Sequence, residues 1–395
     1  MSTLSCTNQI PLSDIRNTDT GNATLIIRQM RPNDQPSWDE YVKGHPEGTF
    51  FHLIGWKNVI EKTFGHKSCY LLAEQSRTID LHHACGPDLK EAPWSHTSIN
   101  KRDDCPGIVG ILPLFPIKSF LFGKFLVSIP FAEIGGALAH NAEIENLLIQ
   151  RAIEITKSQD LGYLELRYKD KIFNRFALKN LYYNFRRPIF DNLDQNMQAI
   201  PRKARRMIRQ GEKFNLSFQF GNQNLKSFYG VLMKSFHNLG TPTFTYKFFE
   251  NIRDEFRGNC LLLIVQNQDR LPIAGVLTFL YKDQVIPYYA GSLVEYRELA
   301  PNDFMYWQLM KYGCEHGYRF FDFGRSKEGT GSFDFKRHWG FEPKQLYYQY
   351  YLNKIKEMPN LSPANPKYQK KIQLWKKLPL PVKETLGPLL SKYLV

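Results

Sequence analysis

The chain states one plan twice, and that repetition limits its fold more than any other feature. In the first half "CYLLAE", "GIVGILPLFPIK" and "KFLVSIPFAEIGGALA" read as consecutive strands, followed by a helical "NAEIENLLIQRAIEITKSQ" and a strand "LGYLELRY". In the second half "CLLLIVQNQ", "LPIAGVLTFLYK" and "QVIPYYAGSL" are followed by the helical "NDFMYWQLMKYGCEH" and the strand "GYRFFDFG". Each unit opens with a helical segment, "GWKNVIEKTF" and "NLKSFYGVLMKSFHNL". A duplicated α+β domain follows, with a cleft between the copies or at splayed strands within each. The 395 residues suit two such domains, since one ordinary core takes about 100 to 200 residues. The expected limits are a flexible N-terminus 1–23, a first domain 24–190, a second domain 191–355 and a basic tail 356–395. Residues 77–107, "RTIDLHHACGPDLKEAPWSHTSINKRDDCPG", break the first copy where the second has only "NQDRLP", and are read as a looped-out polar insertion.

Charge is uneven. The net +14 comes from 52 basic and 38 acidic residues, and two blocks hold most of it. From Lys354 to Lys392 nine lysines face only Glu357 and Glu384, a net of +7; from Arg202 to Lys213 six cations face Glu212 alone, a net of +5. Such blocks suit an anionic partner or form a solvated face. Pro201 and the alternation in "PRKARRMIRQGEK" predict a helix from about Arg202, with Arg205, Arg206 and Arg209 sharing a face. The tail "LWKKLPLPVKETLGPLL" interleaves lysines with Trp375, Leu378, Leu380 and Leu386, a composition that fits the body, an acidic partner or a membrane face.

Six scattered cysteines and an N-terminus without a charged start and apolar core predict reduced thiols and cytoplasmic residence. The most apolar stretch, "GIVGILPLFPIKSFLFGKFLVSIPF", is broken by Pro113, Pro116, Lys118 and Lys124, so it reads as buried strands rather than a spanning helix. His82, His83, Cys85, His96 and Cys105 of the insertion match no four-ligand zinc spacing, and no metal is expected.

The stretch "FDFGRSKEGTGSFDFKRHWGFEP", Phe321 to Pro343, concentrates the chemistry. Gly324 is expected to turn the backbone away at the end of a strand. The loop "RSKEGTGS" offers amides, Arg325, Lys327 and hydroxyls to an anionic group, without the Walker spacing of a P-loop. Phe333, Phe335, Trp339 and Phe341 surround Lys336, which either presents a desolvated cation to a developing negative charge or lays its stem on apolar surface with its head in water. Asp322 could orient Lys336 or an amine, or be satisfied by backbone donors.

These features resemble the Fem peptidyltransferases (FemA, FemB and FemX type), whose folds pair two GNAT-like domains of the acyl-CoA N-acyltransferase type. Those enzymes move an aminoacyl group from aminoacyl-tRNA to an amine of the peptidoglycan precursor. The closer similarity is to the FemAB-related branch that accompanies exosortase and PEP-CTERM systems, carried by "LGTPTF", "APNDFMYWQLM", the 321–343 stretch and "LWKKLPLPVKETLGP". It covers most of the chain from about Thr24; the 77–107 insertion departs from it. The resemblance implies that Phe335 and Lys336 match the Phe-Lys pair at the acceptor end of the tRNA, with Lys336 catalytic, and that Arg202, Arg205 and Arg206 match a basic start of the second domain facing RNA or phosphate. It implies no tightly bound cofactor, an aminoacyl-tRNA or acyl-CoA donor, and an amine-bearing envelope or exopolysaccharide precursor as acceptor. It also fits cytoplasmic residence with peripheral contact at the inner face of the membrane.

Two rival readings stand beside it. One is an acyl-CoA N-acyltransferase, although "SLVEYRELAPNDFMYW" lacks the glycine turn that holds pyrophosphate in that superfamily. The other is a non-catalytic scaffold of exosortase or exopolysaccharide machinery. Trp56, with Lys57, borders the acceptor pocket or belongs to the core. Tyr288 and Tyr289 are expected on opposite strand faces, so that at most one, Tyr289, looks into a cleft.

Overall fold

The computed structural model describes residues 15–17, 23–77, 107–119, 122–359, 373–375 and 377–393. The interior of the insertion, with its histidines and Cys85 and Cys105, lies outside the described residues, as does most of the N-terminus 1–23 and of the early tail. Within that N-terminus, Ile15–Asn17 pairs with Ala23–Gln29 as an edge strand.

The repeated plan is realised, with helices Ala142–Ser158 and Pro301–Glu315 in equivalent places. In both halves two parallel strands pair over only two residues and then part: Leu126 and Val127 on Leu164 and Glu165, and Gln284 and Val285 on Phe320 and Phe321. These are the splayed strands the repeat predicts.

One expected strand is split. "GIVGILPLFPIK" forms Gly107–Leu112 in one sheet and Phe115–Ser119 in another, because Pro113 cannot continue the ladder. Among the described residues the first half therefore holds two five-stranded sheets, and the second a single seven-stranded one.

The two halves exchange strands. Tyr182–Pro188, which precedes residue 191, inserts into the seven-stranded sheet between Phe320–Lys327 and Pro343–Gln345. Tyr347–Leu352 from the far end returns to the first half and pairs with Tyr163–Tyr168 and Ala177–Lys179. Each half thus completes a sheet of the other. Between them lies one apolar core: Phe50 stacks on Phe279 with ring centroids 4.1 Å apart, and Phe51 and Trp56 meet Phe279 and Tyr288. Gly55 sits against the Phe256 ring with no room for a methyl group, so helices Ile54–Phe64 and Tyr246–Glu255 pack closely.

Arg202–Lys213 is helical as expected. It buries Ala204, Ile208 and Gly211, with Gly211 against Phe304. At about 100° per residue the opposite face carries Arg202, Arg206, Arg209 and Lys213 in one stripe. Arg205 lies at its flank, half-buried, which corrects the expected grouping. Among the described residues no helix is long and apolar enough to cross a membrane, and no group of three or more His, Cys, Asp or Glu is placed to hold a metal ion.

Candidate active site

The site begins with a loop under strain. After Val127 the chain leaves its parallel partner as "SIPFAEIGG", where Ile129 (φ 47°) and Phe131 (φ 60°) adopt left-handed backbone. Such residues cost about 1–2 kcal/mol each and persist only where their surroundings hold them. Arg167, 1% exposed, donates to Ala132 O at 2.6 Å, and its own carbonyl accepts from the Gly135 and Gly136 amides. Trp56 donates its indole N–H to Pro130 O, Tyr288 its hydroxyl to Phe131 O, and Tyr348 its hydroxyl to Glu133 O at 2.8 Å. The loop is clamped from both halves, and it holds out the carboxylate of Glu133.

Opposite lies the strand Phe320–Lys327. Gly324 does not end it. Asn184 pairs with Arg325 and Arg186 with Asp322, so one extra residue bulges, and Gly324 takes φ +66°. A side chain at 324 would collide with Glu133 Oε1. The bulge turns two amides toward carboxylates: Gly324 N–H donates to Asp322 Oδ1 at 2.9 Å, and Arg325 N–H to Glu133. Asn184 Nδ2 donates to the second Asp322 oxygen at 3.2 Å.

Gly324→Ala should therefore lower both melting temperature and activity, since it adds about 1–2 kcal/mol of backbone strain and displaces Glu133. Thermal melts and initial rates test this; an unchanged rate would separate the bulge from the chemistry.

Lys336 comes from a short helix, Gly331–His338, capped by the Thr330 hydroxyl. It is 9% exposed, and the Phe185 ring lies 5.4 Å from its Nζ. Its ammonium donates to Phe323 O (2.6 Å), Gly324 O (2.9 Å) and Arg325 O (3.0 Å). An ammonium has three hydrogens, and the three carbonyls of the bulge take them all. Of the two readings of Lys336, the structure has the buried, ring-lined cation, with its hydrogens directed at the bulge carbonyls.

The electrostatics follow from burial. Desolvation, then Asp322, pushes Glu133 up to about 7, and Lys336 and Arg325 oppose it. Asp322 is also raised by burial. Lys336 is drawn down to about 8 by desolvation, while Glu133 and Asp322 favour its charge. Near neutrality Glu133 therefore stands close to its midpoint, beside a second carboxyl that burial also raises.

Glu133 and Asp322 open onto a cavity of about 370 Å³ between the halves, lined also by Asn184, Arg186, Lys169 and Lys282. Arg186 lies 3.7 Å from the Phe320 ring centroid, and its buried Nε has no hydrogen-bond partner.

The other expected site residues fall in three places. Arg325 lies between the rings of Tyr182 and Tyr348 and donates to the Tyr348 hydroxyl at 2.7 Å, so it braces the Glu133 loop rather than lining the cavity. Lys327 is half-buried beyond the bulge, and Phe335 packs half-buried on Tyr306 and Trp339. Trp56 is wholly buried and does not line this cavity, and Lys57 is paired with Glu61. Tyr289 is half-buried among Phe244, Phe248 and Phe249, outside this cavity. Tyr288 is itself the extra residue of a second bulge, so the two tyrosines are T-stacked at 4.9 Å instead of facing apart. Arg202 and Arg206 are exposed on the basic stripe.

Sequence reading missed Glu133, Asn184 and Arg186. Glu133 had one visible signal: it is the only acidic residue between Gly107 and Ala139, the most apolar part of the chain.

Residues 196–337 match the family described as Acetyltransferase (GNAT) domain. The chain is similar to lipid II:glycine glycyltransferases of Staphylococcus haemolyticus (28% identical over 126 residues, 28% of this chain and 30% of that protein) and Staphylococcus epidermidis (27% over 135 residues, 30% and 32%). It thus spans about a third of the length of these relatives. Among solved structures, that of FemX shares the fold over 88% of this chain and all of the other, with a TM-score of 0.55 and 17% identity. A conserved protein of unknown function from Bacteroides thetaiotaomicron does so over 83% and 99%, with a TM-score of 0.50 and 8% identity. The fold is a mixed α+β pair of GNAT-like domains, an acyltransferase architecture.

Proposed function

We propose that this chain is a Fem-type acyltransferase that moves an aminoacyl group onto an amine of a cell-envelope precursor. The observation that carries the reading is the pair of buried carboxyls, Glu133 and Asp322, meeting at a cavity between the halves of an acyltransferase fold. An incoming ammonium would be drawn to this pair. Glu133, raised to about 7, would take its proton; the freed amine would attack the acyl carbonyl, a C–N bond would form, and the ester C–O bond would break. The proton held by Glu133 would then go to the leaving ribose oxygen, and the carboxylate so regenerated would take the second proton that the new amide nitrogen sheds and pass it to solvent. Asp322 would hold the amine, Arg186 would meet an anionic part of the acceptor, and Lys336 would act as a positioning residue, fixing the bulge on which Glu133 rests.

An aminoacyl-tRNA donor is favoured over acyl-CoA by the start of helix Pro301–Glu315. Pro301 lacks an N–H, and the Asp303 carboxyl takes its own amide and the Trp339 indole N–H at 2.9 Å, so the amide end that would hold a pyrophosphate is filled by an acid. The exposed stripe of Arg202, Arg206 and Arg209 supports an RNA partner. An exosortase or exopolysaccharide setting for the acceptor rests on the sequence resemblance.

The test is transfer of a labelled aminoacyl group from charged tRNA to envelope-precursor amines, with calorimetry of free CoA alongside. Transfer without CoA binding is expected, and Arg206→Glu with Arg209→Glu should weaken tRNA binding about tenfold or more at low salt. CoA binding with no transfer from tRNA would favour the acyl-CoA enzyme instead.

A further inference from the structure

The helix Leu380–Ser391 carries, among its described side chains, small residues inward and large apolar ones outward. The described residues it buries are small: Gly387 lies against Thr243 and Ser391 is 2% exposed. Just beyond it, Lys392 O accepts from His66 Nε2 at 2.9 Å, and the Tyr393 ring stands against His66. Its outward residues are large and apolar: Val382 is 39% exposed, Leu386 40% and Leu389 62%. At 100° per residue these three project within about 60° of one another, on the side opposite Gly387 and Ser391. A surface helix ordinarily shows the reverse pattern, and an exposed apolar stripe marks a contact. Leu374, 65% exposed, adds to the apolar surface of the same tail.

We infer that this helix lies on an anionic membrane surface, with Val382, Leu386 and Leu389 entering the headgroup layer. Charge selects that occupant. In sequence Lys376 and Lys377 precede the helix, Lys383 lies in it and Lys392 follows it, against Glu384 alone, so a second copy would bring like charge together. A partner must offer both an apolar layer and negative charge, and a bilayer containing acidic lipid offers both. Fixed by its small face, the helix presents its stripe without unfolding. The inference stands apart from the transfer chemistry, because none of these residues touches the cavity.

Flotation of the full chain tests it, using vesicles of phosphatidylcholine alone and vesicles in which about a third is replaced by phosphatidylglycerol. Binding to the acidic vesicles is expected, weakening as salt rises. The double variant Leu386→Glu, Leu389→Glu should bind at least about tenfold less, with melting temperature and transfer to a soluble acceptor unchanged. Equal binding by the variant, or equal binding to both vesicle types, would overturn the inference. So would a wild-type dimer in sedimentation that the variant abolishes, since a second copy would then cover the stripe. Failure here leaves the transfer assay untouched, so the two readings fall separately.

Discussion

Glu133→Gln is expected to slow acyl transfer by about 10²- to 10⁴-fold, the range for loss of a general base. The wild-type rate should rise with pH through about 7, where Glu133 gives up its proton, and the glutamine variant should lack that limb. Stability should move the other way. The folded carboxyl titrates near 7, above its ordinary 4.5, so the native state holds a proton that the unfolded chain releases earlier. The stabilising contribution is complete below about 4.5 and is lost as pH rises through about 7. Glutamine stays neutral, so the variant should be the more stable at pH 8, by on the order of 3 kcal/mol, and converge with the wild type near pH 4. Rates and melts across this range check both; a variant that keeps its rate and its pH limb would remove Glu133 from the chemistry.

Lys336→Met is expected to be the most damaging change to the fold of the site. It leaves three bulge carbonyls without donors and removes a buried cation whose charge favours the ionised forms of Glu133 and Asp322, a loss of about 3–5 kcal/mol. Activity should fall by about 10²-fold or more, because the bulge that supports Glu133 loses its anchor. A specific signature distinguishes positioning from direct catalysis. Lys336 holds the Glu133 pKa down, so the residual activity of the variant should show its rising limb at higher pH than the wild type. Lys336→Arg keeps the charge and should leave that limb near its place, yet a planar guanidinium cannot copy the tripod of hydrogen bonds, so stability is restored only in part. Loss of activity with melting temperature and pH limb both unmoved would show that the ammonium acts on substrate directly.

The aromatic setting of Lys336 was legible, since four aromatic residues, at 333, 335, 339 and 341, bracket it within nine positions; whether its head was buried or in water was left open until the fold showed it 9% exposed. What its three hydrogens would meet was not legible. The acceptors are backbone carbonyls of another element, exposed by a bulge that Gly324 permits without announcing. The same holds for Tyr288 and Tyr289: alternation predicts opposite faces, and one extra residue in the ladder cancels it. Glu133 was overlooked because one acid in an apolar run carries no periodic signal, and its partners lie some 190 positions away in sequence.

The sequence by itself determined the repeated strand-strand-strand-helix-strand plan, the basic helix from about Arg202, though not which cations share its outer face, and the aromatic setting of Lys336. These depend on local periodicity and composition, which act between near neighbours along the chain. Only the tertiary structure decided that Tyr182–Pro188 and Tyr347–Leu352 trade sheets, and hence that Glu133 of one half meets Asp322 and Gly324 of the other. Two similar sheets offer similar edges, so nothing in a strand's own residues selects between them. The choice is made when the halves bury their common core, and the pair of carboxyls exists only after that choice.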